Sequence, residues 1–263
     1  MRNTGKIKYL LAFALFALIS CGKGAAPEIR DENLTGSAAV SLKGAFSEVG
    51  ILFESETGKK IDFNFGASGA LQQQIENGAP VDVFASAGEK QVIELENRGF
   101  VEKNSERAFA GNSLVLIVPA KSNSGISSFA DLPASSVKKI AIGNPKTVPA
   151  GQYAQEFLQN SAISESVQGK LIFAENVRQV LEYVSRGEVD AGIVYLTDAL
   201  EEKSNVRIAA EADSALHSPI LYPIAVITNG KQMQAAKAFI EFVRGAKVQE
   251  ILRKYGFKSA GEK

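Results

Sequence analysis

Apolar residues recur three and four positions apart at Leu42, Phe46, Val49 and Phe53, and Gly58 follows. That spacing predicts a helix opening at Ser41 and stopped by the glycine. Ile61-Asp62-Phe63-Asn64-Phe65 alternates with period two, the pattern of a half-buried strand. From there the two patterns take turns. Gly66-Ala67-Ser68-Gly69 leads into a predicted helix over 70–78, residues 81–84 predict a strand, and 89–98 a helix ended by Gly99. The unbroken apolar run 114–118 predicts a strand covered on both faces. Strands are predicted at 139–142, 171–173, 191–195 and 222–228. Helices are predicted near 151–160, over 177–186, near 197–203, and over 232–255 with an interruption near Gly245. Such alternation predicts an α/β protein whose parallel sheets are covered by helices.

The first twenty residues carry a different pattern. Arg2, Lys6 and Lys8 precede an apolar run from 9 to 19. Eleven residues suit a secretory signal and fall short of the roughly 20 that span a bilayer. Leu18-Ile19-Ser20-Cys21 resembles the lipobox of bacterial lipoprotein precursors, which implies cleavage after residue 20 and a lipid on Cys21. Residues 21–36, mostly small and polar, read as a flexible tether.

Composition narrows the chemistry. Among 263 residues, 29 basic side chains balance 29 acidic ones, and no basic excess marks a nucleic-acid binder. Loss of Arg2, Lys6 and Lys8 with the leader leaves 26 basic against 29 acidic side chains. A single Cys excludes an intrachain disulfide framework, and a single His excludes multi-His metal sites.

The junctions ahead of the predicted helices hold the candidate site. They are Ala38-Ala39-Val40-Ser41, Gly66-Ala67-Ser68-Gly69, Val148-Pro149-Ala150-Gly151, Ala174-Glu175-Asn176-Val177 and Val194-Tyr195-Leu196-Thr197. In open α/β sheets ligands bind beyond the carboxyl ends of the strands. Each junction there offers free backbone N–H groups and the positive end of a helix dipole, which favour an anion. Ser41, Ser68 and Tyr195 add hydroxyl donors without charge. Taken singly, each serine reads as well as a plain helix N-cap and the tyrosine as a core aromatic.

Seven blocks in chain order resemble the molybdate-binding proteins of bacterial ABC importers, a branch of the type II periplasmic binding proteins. They are Ala39-Val40-Ser41-Leu42, the long stretch from Phe65 to Ala87, Gly111-Asn112-Ser113-Leu114-Val115, Val148-Pro149-Ala150-Gly151-Gln152-Tyr153-Ala154, Glu175-Asn176-Val177-Arg178, Gly192-Ile193-Val194-Tyr195 and Tyr255-Gly256-Phe257. The resemblance implies two doubly wound α/β lobes joined by a two-segment hinge. Residues 37–111 with 223–263 would form lobe 1 and residues 112–222 lobe 2, with Asn112-Ser113 and Tyr222-Pro223 as the crossings. It implies an oxyanion held by Ser41, Ser68, Ala150, Val177 and Tyr195, the hydroxyls and the backbone N–H groups of Ala150 and Val177 acting as donors. It further implies a monomer outside the cytoplasm, with molybdate or tungstate as ligand, no cofactor, no enzymatic activity and an importer permease as partner; the lipobox departs from that family's ordinary signal and implies retention through a lipid on Cys21. Gly69 and Ala70 depart from the hydroxyl residues frequent after the second serine, which trims polarity beside the site. Lys43, Lys146 and Arg178, close in sequence to the matched positions, read as solvated charges, with steering of the anion as the alternative.

Two other readings compete. The same fold could hold another oxyanion such as sulfate or phosphate. Gly66-Ala67-Ser68-Gly69-Ala70 nearly matches a Gly-x-Ser-x-Gly nucleophile elbow, and a serine hydrolase would then need His217 as base. His217 sits in a turn-like segment and reads as a surface residue.

Overall fold

The computed structural model describes residues 33–261. The leader, Cys21 and most of the expected tether lie outside them. Strand β1 (Leu34–Ala39) opens the fold, so the chain enters its sheet two residues before the tether was expected to end. A Leu followed by small and polar residues carries little strand signal. These residues form an interior strand through parallel pairing on both sides, with β2 (Ile61–Gly66) and β3 (Val83–Ala85).

The first sheet runs β2-β1-β3-β10-β4, with β10 (Leu221–Val226) antiparallel to both β3 and β4 (Arg107–Gly111). The second repeats that plan as β7-β6-β8-β5-β9. In it β6 (Ile140–Gly143) lies parallel to β7 (Leu171–Ala174) and β8 (Ala191–Tyr195). The strand β5 (Leu114–Pro119) runs antiparallel to β8 and β9 (Val206–Glu211). Both sheets are thus mixed rather than purely parallel. In each, the fourth strand is the one that the chain enters after crossing from the other sheet. The outgoing crossing is Asn112-Ser113, between β4 and β5. The return occupies 212–220, and Tyr222 and Pro223 lie inside β10, flanking a shift of register, rather than at the crossing itself.

Helices cover the sheets. Around the first are α1 (Lys43–Thr57), α2 (Ser68–Glu76), α3 (Glu89–Asn97) and the closing pair α8 (Met233–Val243) and α9 (Ala246–Lys254). Around the second are α4 (Pro149–Asn160), the single turn α5 (Ser164–Val167), α6 (Val177–Ser185) and α7 (Leu196–Glu201). Gly58 stops α1 in the left-handed conformation, φ 71°, which an L side chain adopts only at a cost. The 114–118 run is completely buried, as its composition predicts. Edge strands β4 and β9 escaped the pattern reading, since β9 exposes Arg207, Ile208 and Glu211.

Candidate functional site

The five junctions converge. Ser41, Ser68, Ala150, Val177 and Tyr195 line one nook, together with Ala39, Val40, Gly66, Ala67, Ala87, Val148 and Pro149. All five predicted residues are buried. The nook is small, with room on the order of one water. No lining residue is charged.

Local structure explains why each residue presents a donor. Ser41 lies in the 3-10 turn Val40–Leu42 that precedes α1, and Ser68 is the first residue of α2. Neither caps a helix: the N-cap positions are Ala39 for the 3-10 turn, Leu42 for α1 and Ala67 for α2, with no side-chain cap bond at any of them. The N-cap reading of both serines is therefore corrected. Ala150 is the second residue of α4 and Val177 the first of α6, so their N–H groups have no partner inside the helix. Asn176 caps α6 by accepting from the Gln179 N–H at 3.0 Å. Tyr195 ends β8 and forms the N-cap of α7.

The hydroxyls are differently engaged. Ser68 Oγ accepts from the Ala87 N–H at 3.0 Å, which leaves its own proton to donate. Tyr195 OH donates to the Ala87 carbonyl at 2.9 Å, drawing the end of β8 against the segment after β3. Ser41 Oγ lies 3.0 Å from Tyr222 OH. Burial raises the Tyr195 and Tyr222 phenols well above their ordinary range, so both remain protonated donors. Ala87 and Tyr222 are contacts that sequence reasoning did not assign. Ala87 lay in one of the resembling blocks, but nothing in its residue type marks a bridging role.

The two sides of the cleft touch elsewhere through backbone. The Gly69 N–H, free in the first turn of α2, donates to the Thr147 carbonyl at 2.9 Å. A Cβ at Gly69 would stand 2.6 Å from that oxygen and 2.8 Å from Thr147 Cα. Gly69 thus does more than trim polarity: it permits close approach.

Two expectations change. Arg178 is not a solvated charge: its Nε stands 2.9 Å from Asp198 Oδ1, and its Nη2 2.6 Å from Glu201 Oε1. Asp198 is completely buried, and that burial, opposed by Arg178, pushes its carboxyl up to about 7. Lys43 and Lys146 are exposed. His217 is buried rather than on the surface. Its Nδ1 lies 2.8 Å from the Ser218 carbonyl, and its ring packs edge-on to Tyr153. It lines a separate cavity beside Gly111–Leu114 and Ile220, so the structure does not bring it to Ser68 as a base. Among the described residues no cluster of His, Cys, Asp and Glu could hold a metal ion.

The family model of the bacterial extracellular solute-binding proteins matches residues 34–258. A Bacillus subtilis (strain 168) protein, YvgL, provisionally named as a substrate-binding lipoprotein of an ABC transporter, is 39% identical over 252 residues, covering 95% of this chain and 96% of its own. The molybdate-binding protein ModA of Escherichia coli (strain K12) is 34% identical over 255 residues, covering 95% and 98%. Among solved structures, the periplasmic molybdate-binding protein of Azotobacter vinelandii superposes with a TM-score of 0.76 at 25% identity, over 86% of this chain and 98% of that one. These relatives bind substrates for transport and are not enzymes, which removes the hydrolase reading.

Proposed function

The chain belongs to the bacterial extracellular solute-binding protein family and serves an ABC transporter, and on that premise we propose that its ligand is molybdate or tungstate. The observation that carries the reading is the nook itself. Helix starts and hydroxyls from both sheets meet there, and its lining includes no charged side chain. A tetrahedral dianion without protons only accepts hydrogen bonds. Donors alone suit it, and a carboxylate in the wall would repel it. Ser41, Ser68 and Tyr195 supply hydroxyls, and Ala150 and Val177 supply backbone N–H groups backed by helix dipoles. Bonds from such donors to an anion are roughly twice as strong as neutral ones.

The nook is tighter than an oxyanion, so the walls part to admit the ligand and close about it. Tyr195 then exchanges the Ala87 carbonyl for a ligand oxygen. Residues 34–111 and 221–261 move as one lobe and 114–211 as the other, hinged at the two crossings, 112–113 and 212–220. Cys21 carries the lipid that keeps the protein at the outer side of a bacterial membrane as a monomer, beside the permease that receives the oxyanion.

Calorimetric titration of the chain beginning after Cys21 tests the assignment, with molybdate, tungstate, sulfate and phosphate in turn. Tight binding of the first two and at least hundredfold weaker binding of the others is the expected result. A smaller sulfate cannot reach donors on both walls, because hydrogen bonds fail when stretched much past about 3.2 Å. Sulfate or phosphate bound as tightly as molybdate overturns the ligand assignment.

A further inference from the structure

Ser41 owes its usefulness as a donor to residues outside the nook. Its hydroxyl has one proton. At 3.0 Å from Tyr222 OH that proton could be spent on the phenol or kept for a ligand. The neighbours of Tyr222 settle the matter. Asn112 Nδ2 lies 3.1 Å from Tyr222 OH and 3.0 Å from Thr197 Oγ1. Asn112 Oδ1 accepts from the Ser113 N–H at 2.9 Å. A flipped amide would set Nδ2 against that N–H, donor against donor, so the backbone of Ser113 fixes the side chain's orientation. Asn112 is then bound to donate to the Tyr222 oxygen. Tyr222 is completely buried, and among the described residues the one other hydrogen-bond partner of its hydroxyl is Ser41 Oγ. Its proton therefore goes to Ser41, since a buried hydroxyl proton left unpaired is costly.

We infer that Asn112 and Tyr222 are positioning residues for the oxyanion site: a one-way chain of hydrogen bonds runs from Ser113 N–H and Asn112 through Tyr222 to Ser41 and leaves the Ser41 proton pointing at the ligand. Neither residue touches the nook. Asn112 belongs to the outgoing crossing and Tyr222 to the strand that receives the return, so the hinge itself sets the polarity of one donor. Packing holds the phenol in place, with Phe257 and Phe109 edge-on at 5.3 and 6.3 Å and Tyr195 tilted at 5.7 Å. The inference rests on the oxyanion reading above.

A double-mutant cycle tests it, using the chain beginning after Cys21 and calorimetric titration with molybdate. Tyr222→Phe removes the phenolic link and keeps the ring. Its expected effect is a roughly tenfold loss of affinity when Ser41 is present, and less than twofold on a Ser41→Ala background, because the chain then ends on nothing. A merely structural role would lower affinity equally on both backgrounds, and that result overturns the inference. Should Tyr222→Phe fail to fold, Asn112→Asp replaces it. The carboxylate accepts from Tyr222, reverses the chain and draws the Ser41 proton away from the ligand. Its loss is expected to shrink at least threefold on the Ser41→Ala background, and an unchanged loss overturns the inference. Wild-type protein that binds no molybdate instead refutes the ligand reading beneath it, a result distinct from molybdate binding without coupling.

Discussion

Gly69→Ala adds one methyl group where the two walls of the cleft meet, and its effect can be worked from the structure. The new Cβ would stand 2.6 Å from the Thr147 carbonyl oxygen, 2.8 Å from Thr147 Cα and 3.0 Å from its carbonyl carbon. Ordinary contact begins near 3.4 Å, so the walls must separate by about 0.8 Å at this point. All three atoms are backbone, and no rotamer change can relieve them. Separation breaks the Gly69 to Thr147 hydrogen bond, worth about 0.5–1.5 kcal/mol. It also stretches a donor near 2.9 Å on the opposite wall beyond useful length, and each such bond to an anion contributes about 1.5–3 kcal/mol. One of each gives a loss of about 2–4.5 kcal/mol, roughly thirty- to two-thousandfold in affinity. The open form should not suffer, because alanine is a better helix residue than glycine by up to about 1 kcal/mol. Titration with molybdate measures the first effect, small-angle scattering follows closure, and thermal melting of the ligand-free protein measures the last. Affinity and compaction equal to wild type would refute the steric argument. A lowered melting temperature without ligand would show that the methyl group disturbs the fold rather than the closure.

Other perturbations separate ligand binding from folding. Ser68→Ala should lose roughly ten- to a hundredfold in molybdate affinity and also about 1–3 kcal/mol of stability, because the buried Ala87 N–H loses its acceptor; titration and urea unfolding read the two, and a loss in neither removes Ser68 from the site. Gly151→Ala should cost about 3 kcal/mol or more in urea unfolding, since its Cβ would overlap the Gly143 carbonyl; unchanged stability would refute this packing account. Stability should also depend on pH through Asp198. Burial raises that carboxyl to about 7 against the pull of Arg178. The folded chain then holds a proton that the unfolded chain releases above about pH 4, so stability falls as pH rises from about 4 to about 7. Asp198→Asn should flatten this slope in urea unfolding, and an identical slope in the variant would count against the assignment.

What the chain's sequence discloses follows the range over which each feature is determined. Helices α1, α3 and α6, the buried β5 and the break at Gly245 are written within a few residues of themselves and were legible. Strands β1, β4 and β9 were not, because small residues or an exposed edge blur the alternation. The antiparallel strand in each sheet was equally hidden, since its direction is set by the crossings and not by its own residues. The site divides in the same way. Each of its five positions is a local event, a short junction before a helix, and the order of those junctions along the chain made them readable. The partners that decide what each hydroxyl does are remote. Tyr222 lies 181 residues from Ser41, and Tyr195 lies 108 from Ala87. Arg178 read as solvated because its partners arrive with α7, after another strand has intervened. A donor's position can therefore be read from one segment of the chain. Its direction depends on the orientation of an amide at one crossing and a phenol beyond the other, and only the closed fold brings those two together.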